Sequence, residues 1–214
     1  MRIKNWFSKH LWAISAAYFV CYLIAFFAFE KFIVPTYMIH AALDDKIPFC
    51  EWFIFPYFAW FPLIACSLIY FLRHSKKDYL RLCFLMYTGM TICLLIYLCF
   101  PNGLDLRVEL TRDNWPSKLV GALQAMDTPT NVCPSIHVLV TVVIDMVVLH
   151  SKELSGKTGV KAGVTVLAVL ICLSTVFLKQ HSVIDVFWGL VLAFVLRGLQ
   201  CLWERKKETD RKPA

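Results

Sequence analysis

The chain has 214 residues, of which 59% are hydrophobic and only 17% charged. A water-soluble domain of this length carries more charge, and the formal net charge of +7 sits in short clusters beside apolar runs, with no basic stripe or stacking groove for nucleic acid. Composition therefore excludes a soluble globular enzyme and a nucleic-acid module, and leaves an all-α integral membrane protein.

Six apolar segments predict a bundle of six transmembrane helices forming one membrane domain over residues 1–214. They are about 11–32, 52–72, 80–100, 137–150, 160–178 and 183–203. The first follows Met1-Arg2-Ile3-Lys4 and stays apolar to about Phe29 with no small-residue cleavage site, so it reads as a retained span and not a signal peptide. The fourth is short for a hydrocarbon core of about 30 Å. Asp145 interrupts it, and a carboxylate at that depth should face protein.

Basic residues orient the spans. Sixteen of the 22 Lys and Arg fall on one side: Arg2, Lys4 and Lys9, then the clusters at 73–81, 152–161 and 197–212. The other six are Lys31, Lys46, Arg107, Arg112, Lys118 and Lys179. This bias predicts a multi-pass plasma-membrane protein with both termini in the cytoplasm. It places segments 33–51, 101–136 and 179–182 together on the extracytoplasmic side. Of nine cysteines, seven lie within apolar runs and read as small buried hydrophobes. Cys50 and Cys133 lie in loops, where a bridge remains open, but the pattern gives neither a disulfide framework nor a metal site.

The residues with chemical potential gather on that outer side. His181 and Asp185 are four apart, a spacing at which a carboxylate can accept the imidazole N–H, fix one tautomer and leave the other nitrogen free to attack an electrophile. His137 closes the string Asn131-Val132-Cys133-Pro134-Ser135-Ile136-His137. A helix beginning at Pro134 would offer free backbone N–H groups to an anion, Ser135 a hydroxyl, and His137 a proton for a departing alkoxide. Arg107, Lys179 and Arg112 supply cations suited to phosphate oxygens. His40, with Asp44 and Asp45 nearby, is on the same side without an assigned role.

These residues carry a family pattern. Cys133-Pro134-Ser135-Ile136-His137 resembles the second motif of the type 2 phosphatidic acid phosphatase superfamily, usually Pro-Ser-Gly-His. His181-Ser182-Val183-Ile184-Asp185 resembles the end of its third motif, His-x-x-x-Asp, and Leu106-Arg107-Val108 stands for the Arg-Pro end of the first. The resemblance covers residues 80–200. It departs at Phe100, where the first motif begins with lysine, at Ile136 in place of glycine, and at Ser174-Thr175, where the third motif opens Ser-Arg. The bulkier Ile136 and the absent arginine at Thr175 look more like the branch of inositol phosphorylceramide synthase and sphingomyelin synthase.

The resemblance implies His181 as nucleophile through a phosphohistidine, Asp185 as its orienting partner and His137 as the acid for the leaving oxygen. Arg107, Ser135, Lys179 and Arg112 would hold the phosphate, and no cofactor is needed. The partner would be a lipid phosphate within the bilayer. Three functions follow in order. The first is a phosphatase of phosphomonoester or diphosphate lipids, such as phosphatidic acid or a polyprenyl diphosphate. The second is a transferase that moves a phospho-headgroup to an alcohol. The third is a non-catalytic scaffold or transporter using Asp145 and Asp185 in a proton path.

Overall fold

A computed structural model describes residues 10–210. Arg2, Lys4, Lys9, Arg211 and Lys212 of the charge bias lie outside the described residues. The first helix, α1 (Leu11–Phe32), is 22 residues long, about 33 Å at the helical rise. It buries only Ser15 and Tyr22 and presents Trp12, Val20, Ile24 and Phe27 outward, as a lipid-facing helix does.

The second apolar segment folds in pieces. A 3-10 turn over Glu51–Phe53 leads into α2 (Ile54–Phe58), followed by α3 (Trp60–His74). The break at Ala59 has a local cause. Pro62 has no N–H to offer the Phe58 carbonyl, and its ring crowds that carbonyl. The helix α4 (Lys76–Cys99) then returns. Its cap, Ser75, accepts from Asp78 N–H at 3.3 Å and donates to Asp78 Oδ2 at 2.9 Å. Ser151 also donates to Asp78, at 2.8 Å, which ties the start of α4 to the end of α6 (Ile136–His150).

Among the described residues, five helical segments are long and apolar enough to cross a membrane: Leu11–Phe32, Glu51–His74, Lys76–Cys99, Thr158–Phe177 and Val183–Thr209. The last two are α7 (Thr158–Phe177) and α8 (Val183–Thr209). The fourth predicted span is different. The helix α6 has 15 residues, about 22 Å, less than the hydrocarbon thickness. It is the hub of the bundle, packed by α3, α4, α7 and α8, with Val138, Leu139, Val140, Val143 and Ile144 at zero exposure. Its Asp145 accepts from Thr165 of α7 at 2.7 Å, so the carboxylate does face protein.

The expected outer segments meet at one end. The strands β1 (Tyr37–Ile39) and β2 (Asn102–Leu104) pair in parallel, with Met38 opposite Gly103. A helix not foreseen in the sequence, α5 (Trp115–Met126), crosses this end. Asn114 caps it by accepting from Ser117 N–H at 2.9 Å, and Pro116 pre-sets its first turn. Cys50 and Cys133 are both free thiols.

Candidate active site

The turn between α7 and α8 carries His181. The chain leaves Phe177, passes Lys179 at φ +58° and enters α8 through Ser182, its N-cap. Ser182 Oγ accepts from Ile184 N–H at 3.1 Å, and Asp185 Oδ2 accepts from Ser182 N–H at 2.9 Å, a capping box that satisfies donors at the helix start. The same Asp185 oxygen lies 3.2 Å from His181 Nδ1. The predicted four-residue pairing therefore spans the cap, with His181 just outside the helix, and does not lie along one helical face. With Nδ1 engaged, Nε2 is the nitrogen available for chemistry.

His137 comes from the start of α6. Helix formation begins at Ile136 and not at Pro134, because Ser135 is the N-cap and accepts from Val138 N–H at 3.4 Å. Ser135 N–H donates to the Asp185 carbonyl at 3.0 Å, which fixes the starts of α6 and α8 side by side. Gly189 permits this approach: a Cβ there would lie 2.8 Å from the Ser135 carbonyl oxygen. Tyr97 donates to the Pro134 carbonyl at 2.6 Å.

Asn102, wholly buried, organises the preceding loop. Its Oδ1 accepts from Val132 and Cys133 N–H at 2.9 and 2.8 Å, and its Nδ2 donates to the Phe100 and Cys133 carbonyls at 2.9 and 3.0 Å. The His137 ring then packs against Trp60 and Tyr57, with centroids 4.4 and 4.6 Å away. These two rings flank the break at Ala59. The His137 and His181 rings are 5.7 Å apart.

Both histidines line a cavity of about 240 Å³ with Tyr57, Trp60, Asp127 and Gln180. It reaches Leu23, Phe27 and Phe61, exposed apolar residues of α1 and α3, so it opens sideways toward the lipid. A second cavity, about 430 Å³, shares Tyr22, Leu23, Trp60 and Phe61 with the first and runs between the same helices to Trp12 and Leu72. Its walls are almost entirely apolar.

The structure brings His137, His181 and Asp185 together as expected, and places the four phosphate candidates elsewhere. Ser135 is wholly buried and serves as a cap. Lys179 donates to the Asp44 and Ile47 carbonyls at 2.5 and 2.6 Å. Arg112 pairs with the buried Glu51 at 2.9 Å. Arg107 donates to the Gln124 and Asp127 carbonyls at 3.0 and 2.6 Å and to Gln180 Oε1 at 3.3 Å. None of the four lines the cavity, since backbone carbonyls and a buried carboxylate engage the cations first. Arg107 is hydrogen-bonded to two residues of the cavity wall, Asp127 and Gln180. His40 is an exposed partner of Asp45 at 2.8 Å.

Sequence reasoning missed Asp127. Burial pushes its carboxyl up from 3.8 to about 6, with Glu30 adding to the rise and His181 and Arg107 opposing it. It sits in Asp127-Thr128-Pro129, which carries no acid–base motif. It also left Asp44 unassigned, a residue 2% exposed whose carboxylate reaches the first turn of α8.

No curated protein and no solved structure matches the chain. A family model described as the PAP2 superfamily matches residues 108–208. That stretch holds both histidines and Asp185, and begins immediately after Arg107. Members of this family are phosphoesterases with phosphatase-type chemistry on lipid phosphates in general. The two motifs in order, their convergence on one cavity and the family match together make residues 108–208 a stretch of the type 2 phosphatidic acid phosphatase superfamily.

Proposed function

We propose that the protein is a lipid phosphate phosphatase that works through a phosphohistidine. The observation that carries this reading is His181 held at Nδ1 by Asp185, with His137 5.7 Å away in the same laterally open cavity. His181 Nε2 attacks phosphorus as the bond to the lipid oxygen breaks, and His137 gives that oxygen its proton. Asp185 accepts the Nδ1–H and stabilises the charge that develops on the ring. Water then attacks the phosphohistidine, His137 takes its proton back, and phosphate leaves. The donors expected to meet the phosphoryl oxygens are the Ile136 and His137 backbone N–H groups at the start of α6. By the charge bias, the site faces the extracytoplasmic side of a plasma membrane.

A second acceptor is favoured by one feature. The cavity is walled by Tyr22, Phe26, Tyr57 and Trp60, which limits water and suits an alcohol acceptor. The chain would then be a headgroup transferase with the same first step.

The test uses the purified full chain with phosphatidic acid in mixed micelles. Phosphate release is expected, with His181→Ala inactive and His137→Ala slower by about 10²–10⁴-fold. Near-normal release by His181→Ala would end this mechanism. Adding inositol or another alcohol separates the acceptors: free phosphate marks hydrolysis, and a new phosphomonoester of the added alcohol marks transfer.

A further inference from the structure

The first outer loop grips the turn that carries His181. Asp44 is buried, and its carboxylate accepts three hydrogen bonds. Two come from the start of α8: Ser182 Oγ–H at 2.6 Å and Val183 N–H at 2.9 Å. The third, from Ala41 N–H at 2.8 Å, holds the loop's own turn. The grip is reciprocal. Lys179, two residues before His181, sends its ammonium back to the Asp44 and Ile47 carbonyls. Cys50 N–H adds a bond to the Phe177 carbonyl at 3.0 Å.

These contacts bracket His181 on both sides, at 177–179 and at 182–183. Lys179 holds a left-handed φ of +58°, which an L side chain keeps only when its surroundings impose it. Asp44 and Asp185 both act on Ser182: one binds its hydroxyl and the other its N–H. Asp44 is thus joined through one residue to the carboxylate that orients the histidine.

We propose that Asp44 is a positioning residue: with Lys179 it clamps the 177–183 turn so that His181 Nε2 stays aimed across the cavity. Asp44 does not line that cavity and acts only through Ser182 and Val183. The proposal rests on His181 as nucleophile. It gives Lys179 a role other than phosphate binding, and it makes the first outer loop part of the active-site support.

The experiment compares wild type, Asp44→Ala, Asp44→Asn, Lys179→Met and His181→Asn as purified full chains. Each is assayed for phosphate release from phosphatidic acid and normalised to folded protein by size exclusion and thermal melting. A misplaced nucleophile of about 1 Å can lose 10²-fold. Asp44→Ala should therefore lose about 10²-fold in kcat with KM changed less than about threefold. Asp44→Asn keeps an acceptor for Val183 and should recover most of that loss. Lys179→Met should also lower kcat; a rise in KM alone would instead mark a phosphate contact and overturn the clamp.

Wild-type kcat per folded Asp44→Ala molecule overturns the proposal, as does a loss fully explained by unfolded protein. If Asp44→Ala does not fold, Asp44→Asn decides by the same measure, with an expected several-fold loss in kcat. If no turnover depends on His181, the catalytic reading fails separately. The clamp is then judged by carbethoxylation of His181 with diethyl pyrocarbonate, read by peptide mass spectrometry. His181 is 6% exposed, so its release in the Asp44 variant should speed labelling at least about fivefold. Equal rates overturn the clamp.

Discussion

Asp127 shows how one residue can work against the fold that holds it. Its carboxyl is pushed from 3.8 to about 6, chiefly by burial. A group with a raised folded pKa binds its proton more readily folded than unfolded, so its favourable contribution is full below about pH 3.8 and is lost as pH rises through about 6. Above that range the ionised carboxylate costs on the order of 3 kcal/mol. Asp127→Asn should therefore raise the melting temperature at pH 7.5 and leave it nearly unchanged at pH 4. Equal shifts at both pH values would refute the burial argument. At this scale the sequence was legible where a motif compresses chemistry into a few positions, as with His137, His181 and Asp185. Asp44 and Asn102 were opaque for the opposite reason. Each acts on backbone distant in sequence: Asn102 on Val132 and Cys133, and Asp44 on Ser182 and Val183. No local spacing encodes those partners.

Elements were read well where lipid dictates composition and poorly where protein does. A lipid-facing helix must be apolar along its length, so α1, α4, α7 and α8 were legible to within a few residues. The helix α6 gave the same apolar signal for another reason, because it is enclosed by other helices, and composition alone cannot separate the two. The helix α5 lies in a segment that composition marks only as polar, although Asn114 and Pro116 form a start signal for it. The meeting of α6 and α8 depends on a single missing side chain at Gly189. Gly189→Ala gains up to about 1 kcal/mol of helix propensity, but its Cβ meets the rigid Ser135 carbonyl, and overpacking of that kind costs about 1–3 kcal/mol. The expected result is a lower melting temperature and reduced turnover, since the Ser135–Asp185 bond must stretch. Gly198→Ala in the same helix meets nothing within 4 Å and should be neutral or stabilising. If both variants stabilise, the close approach at Gly189 is not under constraint.

The whole molecule has a feature that no single helix contains. The helix α1 packs mainly on α4, and the cleft it leaves beside α3 joins the cavity lined by His137 and His181 to the apolar cavity below it. Along α1 this cleft runs from Leu23 to Trp12, about 16 Å of helix, with Ser15 hydrogen-bonded to Tyr79 on its wall. Apolar periodicity could not reveal it, because lining a cleft and facing lipid ask for the same residues. A lipid whose phosphate lies between the two histidines would extend a hydrocarbon chain along this path, each buried methylene adding about 0.8 kcal/mol of favourable transfer when taken from water. Because a chain in the bilayer is already out of water, the cleft selects by fit and not by hydrophobicity. Ala16 and Ala65 are small residues on its walls. Replacing either with tryptophan fills the lower cleft while leaving both histidines untouched. Ala65→Trp and Ala16→Trp should therefore turn over short-chain lipid phosphates at wild-type rates and lose about tenfold on long-chain ones, seen as a change in the kcat/KM ratio across a chain-length series. A uniform loss across the series would mean that the tail leaves the site by another path, and that the cleft between α1 and α3 is simply a surface for bulk lipid.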